Sequence, residues 1–232
     1  CGYPKLFDAM ADNIEKKGGK IITGANVKKI NKNNITYTKN NKEFEIKADK
    51  IISSMPPHIL AQVLDIDDKI KMDLLKIKYK PIICAVFITK DPFFSEYWNV
   101  FIRPNLIFGG VFNHDKIYNE LVKGEHIFYA FRYINLGDEI YNKSENEISE
   151  LFLGAIKKIY PKFTPVETRV FKISNSSPIF SIGYKNLPIK LDNNIYLTGV
   201  YKEHPSTRTV NTALSSGIKT AEFILSEEGN FN

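Results

Sequence analysis

The chain predicts a two-lobed protein of the α/β or α+β class, and three observations carry that expectation. Helical and strand periodicities follow one another over residues 1–77, an aromatic and strand-rich stretch runs from Pro81 to Ser174, and a short apolar strand, a glycine and a long helix close the chain. At 232 residues and 43% hydrophobic content, the chain can bury real cores. The expected division puts residues 1–77 and 187–232 in one lobe and inserts residues 78–186 as the other.

In the first lobe, Leu6, Met10 and Ile14 recur every fourth residue beside Phe7 and Ala11, and Gly18-Gly19 follow as a stop. That pattern predicts an amphipathic helix over Leu6 to Lys17 with a glycine cap. Lys20 to Thr23, Val27 to Asn31, Ile35 to Lys39 and Phe44 to Lys47 are short runs broken by Gly24, Asn33-Asn34 and Asn40-Asn41, so they predict a strand and a small meander. Lys50 to Ser53 predicts a buried strand closed by Met55-Pro56-Pro57, and His58 to Leu64 and Asp67 to Ile77 predict helices.

The second lobe offers strands at Ile82 to Ile88, Val100 to Arg103, Leu106 to Phe112, His126 to Tyr133 and Val166 to Ser174. One helix interrupts them, Glu145 to Tyr160, with Ser144 as its N-cap. Phe128, Tyr129, Phe131 and Tyr133 alternate along one strand, so some of these rings line one face of the lobe; core packing is the favoured reading and a ligand-facing surface the other, and Trp98, Arg132 and Tyr184 share both readings. The last helix is expected to bury one continuous apolar face of Ala213, Leu214, Gly217, Ile218, Ala221, Ile224 and Leu225, with the small residues allowing close approach.

Composition removes several functional classes. The net charge of +6 comes from lysines scattered along Lys-, Asn- and Ile-rich sequence, which argues against a nucleic-acid interface and leaves an anionic cofactor compatible. Two cysteines make no disulfide framework, and the four histidines, His58, His114, His126 and His204, are too far apart for a ligand pattern, so no metal is expected. Cys84 reads as a small buried hydrophobe. No apolar run of membrane-spanning length and no signal peptide is visible, so the default compartment is the cytoplasm.

The most telling stretch runs from Ile195 to Leu225. A strand ending in Gly199, a polar loop holding Pro205 and Arg208, and a helix start together place backbone N–H groups where they can face an electron-rich ligand.

Three ordered blocks resemble the carboxy-terminal half of the flavin-containing amine oxidoreductases, the group with protoporphyrinogen oxidases, phytoene desaturases and monoamine oxidases. The first is Gly2-Tyr3-Pro4-Lys5-Leu6 through Gly18-Gly19 to Val27-Lys28-Lys29-Ile30, the second Ala48 to Pro57, and the third Ile195 to Val200 followed by Pro205, Arg208, Val210-Asn211, Ala213 and Ser216-Gly217. The resemblance implies a partial FAD-binding lobe with an inserted antiparallel substrate lobe. It implies FAD as cofactor, with Val27 passing the adenine through its main chain, Gly199 permitting close approach, Val210 and Asn211 offering N–H groups to the flavin ring, and Arg208 adding positive charge. It names no catalytic residue in this chain. Where the family often carries an acidic residue after the glycine, this chain has Val200, and Glu203 is out of register. The family's opening G-x-G-x-x-G turn, which holds the FAD pyrophosphate, has no counterpart here.

Three functions therefore stand open. One is an FAD-dependent oxidoreductase removing hydride from C–N or C–C bonds of a small-molecule substrate, of which this chain is a fragment completed by an amino-terminal segment. Another is a non-catalytic or split-chain binding module that needs a separate Rossmann-bearing partner. The last is a protein like the flavin-dependent sugar mutases.

Overall fold

The computed structural model describes residues 2–101, 106–117, 124–135, 137–192 and 194–229. The chain forms two compact units, residues 1–78 with 178–232 and residues 79–177.

The first unit opens with α1 (Tyr3–Lys16), whose glycine stop is a Schellman cap: Gly19 N–H donates to Ile14 O at 2.9 Å and Gly18 N–H to Glu15 O at 2.9 Å. The residues of α1 are amphipathic as expected, yet none of them is buried, and Leu6, Phe7, Met10 and Ile14 stay exposed. Lys20 to Thr23, expected as a strand, is irregular. The run is short and sits between glycines, and among the described residues it pairs with no strand.

The meander is present as β1 (Asn26–Ile30), β2 (Asn34–Lys39) and β3 (Lys42–Lys47), antiparallel in that order. Its tight β2–β3 turn places Asn40 and Asn41 at positive φ, a conformation asparagine tolerates. A second sheet runs β10 (Lys190–Asp192), β11 (Ile195–Leu197), β4 (Ile51–Ser53). There β11 pairs with β4 in parallel, Tyr196 opposite Ile52, so chain segments over a hundred and forty residues apart meet in one core. Pro57 starts α2 (Pro57–Val63), and Asp67 caps α3 (Asp68–Leu75) by accepting the Lys69 N–H at 2.8 Å.

The last helix, α5 (Val210–Glu227), packs through Ser216, Thr220 and Ile224. The expected face is thus rotated: Ala213, Ile218, Ala221 and Leu225 are exposed, and a Cβ on Gly217 would meet nothing. Two polar side chains win the buried face because each one satisfies backbone groups of β11 and its following loop.

In the second unit β5 (Tyr79–Thr89), β6 (Trp98–Val100), β7 (Gly110–Asn113), β8 (His126–Tyr133) and β9 (Pro165–Pro178) form one sheet in the order β6-β7-β8-β5-β9. Arg103, expected in a strand, lies outside the described residues. The β5 side chains alternate strictly: Ile83, Ala85 and Phe87 are buried, while Ile82, Cys84, Val86 and Ile88 are half-buried on the other face. Cys84 is therefore less enclosed than expected. The core beneath is aromatic, with Phe87, Phe93, Phe94, Phe128 and Phe163 in edge-on contacts down to 4.7 Å between ring centroids. Covering it is α4 (Glu145–Lys157), held by a complete capping box between Ser144 and Glu147.

Of the alternating rings on β8, Phe128 enters this core, whereas Tyr129 and Phe131 lie on the opposite face, Phe131 edge-on to Trp98 at 5.5 Å. Residues 178–186, expected in the second lobe, belong to the first unit. Ile179 N–H donates to Lys78 O at 2.9 Å, and Phe180 and Tyr184 pack against His204. No helix among the described residues is long and apolar enough to cross a membrane.

Candidate functional site

The site is built where β11 ends. Gly199 has φ +137°, a conformation side chains disfavour, and a Cβ there would stand 2.8 Å from the Tyr201 ring. Its backbone is tied to α5 in both directions: Gly199 N–H donates to Ser216 Oγ at 3.0 Å, and Ser216 Oγ–H donates to Gly199 O at 3.2 Å. One turn on, Thr220 Oγ–H donates to Leu197 O at 3.1 Å. Strand end and helix are thereby locked in register.

The start of α5 is polar and partly unsatisfied. Thr209 is its N-cap, accepting the Thr212 N–H at 3.0 Å, and Thr212 Oγ–H donates to Thr207 O at 2.7 Å. Thr212 and Ala213 N–H are thus used, whereas Val210 and Asn211 N–H meet no acceptor among the described residues. Two free donors at the positive end of an 18-residue helix can hold an anionic or electron-rich group.

Gly199, Arg208, Val210 and Asn211 therefore belong to one connected stretch, with Arg208 exposed just ahead of the cap. Val27 stands on the separate meander, half-buried opposite Tyr37 in a bulged pairing that leaves Lys28 out of register.

A clasp that sequence reasoning missed holds the loop after Gly199. Tyr184 Oη–H donates to Tyr201 O at 2.5 Å, Asn186 Nδ2–H donates to His204 O at 3.0 Å, and His204 N–H donates back to Asn186 Oδ1 at 3.1 Å. Burial pushes the Tyr184 phenol up to about 12, so it remains a donor at any ordinary pH. The fourth tie comes from Lys202, whose ammonium donates to Leu187 O at 2.6 Å. No motif announces these contacts. Ser216 and Thr220, by contrast, were findable as a polar pair at i, i+4 inside an apolar helix pattern.

Among the described residues no three His, Cys, Asp or Glu side chains gather as metal ligands would. The donors left at this helix start are the Val210 and Asn211 backbone amides, suited to an organic anion or a polar ring and not to a metal ion. Unused N–H groups of that kind fit a flavin ring, while the space that the missing Gly199 Cβ leaves is taken by the Tyr201 ring.

The sequence model of the flavin containing amine oxidoreductase family matches residues 1–225. A protein assigned as a protoporphyrinogen oxidase from Exiguobacterium sp. 255-15 has a similar structure, at TM-score 0.63 and 13% identity over 89% of this chain and 45% of that one. A triple mutant of putrescine oxidase superposes at TM-score 0.66 and 13% identity over 88% and 48%. Reduced UDP-galactopyranose mutase does so at TM-score 0.60 and 13% identity over 74% and 39%. The chain spans about half the length or less of these three structures. No curated protein sequence matches it.

Proposed function

Since the chain belongs to the flavin containing amine oxidoreductase family, whose cofactor is FAD, we propose that it supplies the ring end of the flavin site in an enzyme that removes hydride from a C–N or C–C bond of a small molecule. The observation that carries this reading is the pair of unused N–H groups at Val210 and Asn211, set beyond a glycine whose backbone Ser216 holds in place.

Bound FAD supplies the hydride-accepting ring, and the protein supplies position and charge. On this reading Val210 and Asn211 donate toward the side of the ring that gains negative charge on reduction, and they cost no reorganisation because the capped helix already fixes them. Gly199 is assigned to the ring by its place in the motif, since Tyr201 takes the space that its missing Cβ leaves. Arg208 adds positive charge, and the main chain at Val27 contacts the adenine.

A completing polypeptide segment goes with this reading, and three bare surfaces support it. Among the described residues no residue of α1 is buried, the Ala213, Ile218 and Ala221 side of α5 is exposed, and β4 pairs with β11 alone, with Ile52 51% exposed. A segment adding a parallel strand and helices there would also bring the phosphate contacts that this chain lacks. Likeness to the mutase concerns the fold alone and adds no second chemistry.

The test is a thermal shift with added FAD, on this chain alone and on the chain joined to such a segment. The reading expects stabilisation of the joined protein, since a ligand bound to the folded state must raise its melting temperature. It fails if the joined protein purifies colourless and FAD leaves its melting temperature unchanged.

A further inference from the structure

A second cavity lies apart from the free N–H groups at the start of α5. It measures about 380 Å³ and is lined by residues of the 186–189 segment, by Lys202, Glu203, His204 and Ser206 of the loop, and by Ser216, Lys219 and Thr220 of α5. Lys202 is the unusual member. It is only 8% exposed, and its ammonium has three N–H groups. One donates to Leu187 O at 2.6 Å, and among the described residues the other two meet no acceptor. Glu203, the carboxylate next to Lys202 in the chain, is paired with Lys219 at 2.6 Å. A buried cation without its own counterion is costly, and such charges are retained where something neutralises them.

We propose that this cavity binds a small oxyanion, a phosphate or a carboxylate, with Lys202 as its charge partner and Ser206 and Lys219 at its rim. The bound anion would fill the two unused donor positions of Lys202 and so tighten the clasp between residues 184–187 and the Gly199 loop. In the free protein burial pushes the Lys202 amine down to about 8, against a smaller upward pull from Glu203. A bound anion would restore it toward the ordinary lysine range. None of the groups assigned to the ring lines this cavity, but Ser216, which holds Gly199 in place, does.

The experiment titrates the full chain with sodium phosphate and, separately, sodium acetate, against sodium chloride at matched ionic strength and pH 7, reading melting temperature and binding heat. The wild-type chain is expected to be stabilised by one oxyanion more than by chloride, and which salt does so identifies the source. Lys202→Met should weaken that binding about 10- to 100-fold, as loss of a charged hydrogen bond does. Equal response to all three salts, or an equal oxyanion response in the variant, overturns the proposal. Should Lys202→Met fail to fold, acylation of the wild-type lysines mapped by mass spectrometry decides the matter. Lys202 must then be protected by the active oxyanion while exposed Lys5 is not, and unchanged labelling of Lys202 overturns the proposal.

Discussion

Gly199 and Ser216 hold each other by two hydrogen bonds, the glycine N–H donating to the serine oxygen at 3.0 Å and the serine hydroxyl donating back to the glycine carbonyl at 3.2 Å. Ser216 is buried, so neither bond is readily replaced by water. Ser216→Ala should therefore destabilise the chain by about 1–3 kcal/mol, the cost of leaving a buried donor and acceptor unmade. Urea unfolding checks this, and a change below a few tenths of a kcal/mol would show that the lock contributes nothing.

Gly199→Val adds two costs at the same point, a disfavoured φ and a Cβ 2.8 Å from the Tyr201 ring. The expected loss is about 1–3 kcal/mol from backbone strain alone, with more from the displaced ring. Gly217→Ala is the control, since its Cβ would meet nothing, and its helical setting predicts a small gain. The two urea midpoints should move in opposite directions.

Lys202 predicts the sign of a pH effect. The unfolded lysine holds its proton up to its ordinary 10.5, while the folded one releases it near 8. Between those values the unfolded state binds more protons, so stability rises with pH across that window, and the penalty is full below pH 8. The swing is at most about 3 kcal/mol. Glu203, His204 and Lys219 face the same cavity, so the effect is read as the difference between wild type and Lys202→Met, measured in chloride. A difference that stays flat from pH 7 to 10 contradicts the assignment.

The two units should respond differently to loss of apolar side chains. Phe152 is wholly buried in the second unit's core, and Phe152→Ala should cost about 3–5 kcal/mol of that unit's stability. Met10 lies on the bare face of α1, so Met10→Ser should stay within about 0.5 kcal/mol in this chain. In a protein completed over that face, the same change should cost more, which makes the Met10→Ser difference a direct readout of whether the face is covered.

Burial pushes the Cys84 thiol up to about 11, from an ordinary value of 9.0. Its thiolate fraction at pH 8 is then about 100-fold below that of an unhindered thiol, and alkylation should slow by a similar factor. Peptide mapping after timed iodoacetamide treatment separates Cys84 from Cys1. Rapid labelling of Cys84 would show that the sheet face around it is more open than its surroundings indicate.

The sequence made much of this architecture legible because the evidence there is local. Ser144 with Glu147 announces the start of α4, Gly18-Gly19 announces the end of α1, and paired asparagines mark the meander turns. What it did not reveal depends on partners far along the chain. The periodicity of α5 marks Ala213, Gly217 and Ala221 as apolar, but their burial needs a neighbour, and hydrogen bonds to β11 select the Ser216 and Thr220 side instead. For the same reason α1 is amphipathic yet unburied. Gly199, Val210 and Asn211 could be proposed from the sequence because they sit in a motif of fixed spacing. The clasp of Tyr184, Asn186 and Lys202 binds backbone carbonyls, which leave no pattern in side-chain order.

The central claim is that the Val210 and Asn211 N–H groups face the flavin ring, and its most direct test is the reduction potential of the flavin in a completed protein carrying Val210→Pro. Proline is tolerated at a first helical position, and Thr209 before it is already extended, so the change removes one N–H and leaves the helix intact. Losing one charge-assisted hydrogen bond of about 1.5–3 kcal/mol to the reduced ring should lower the potential by roughly 30–60 mV. A bound flavin whose potential does not change in the variant would contradict the account.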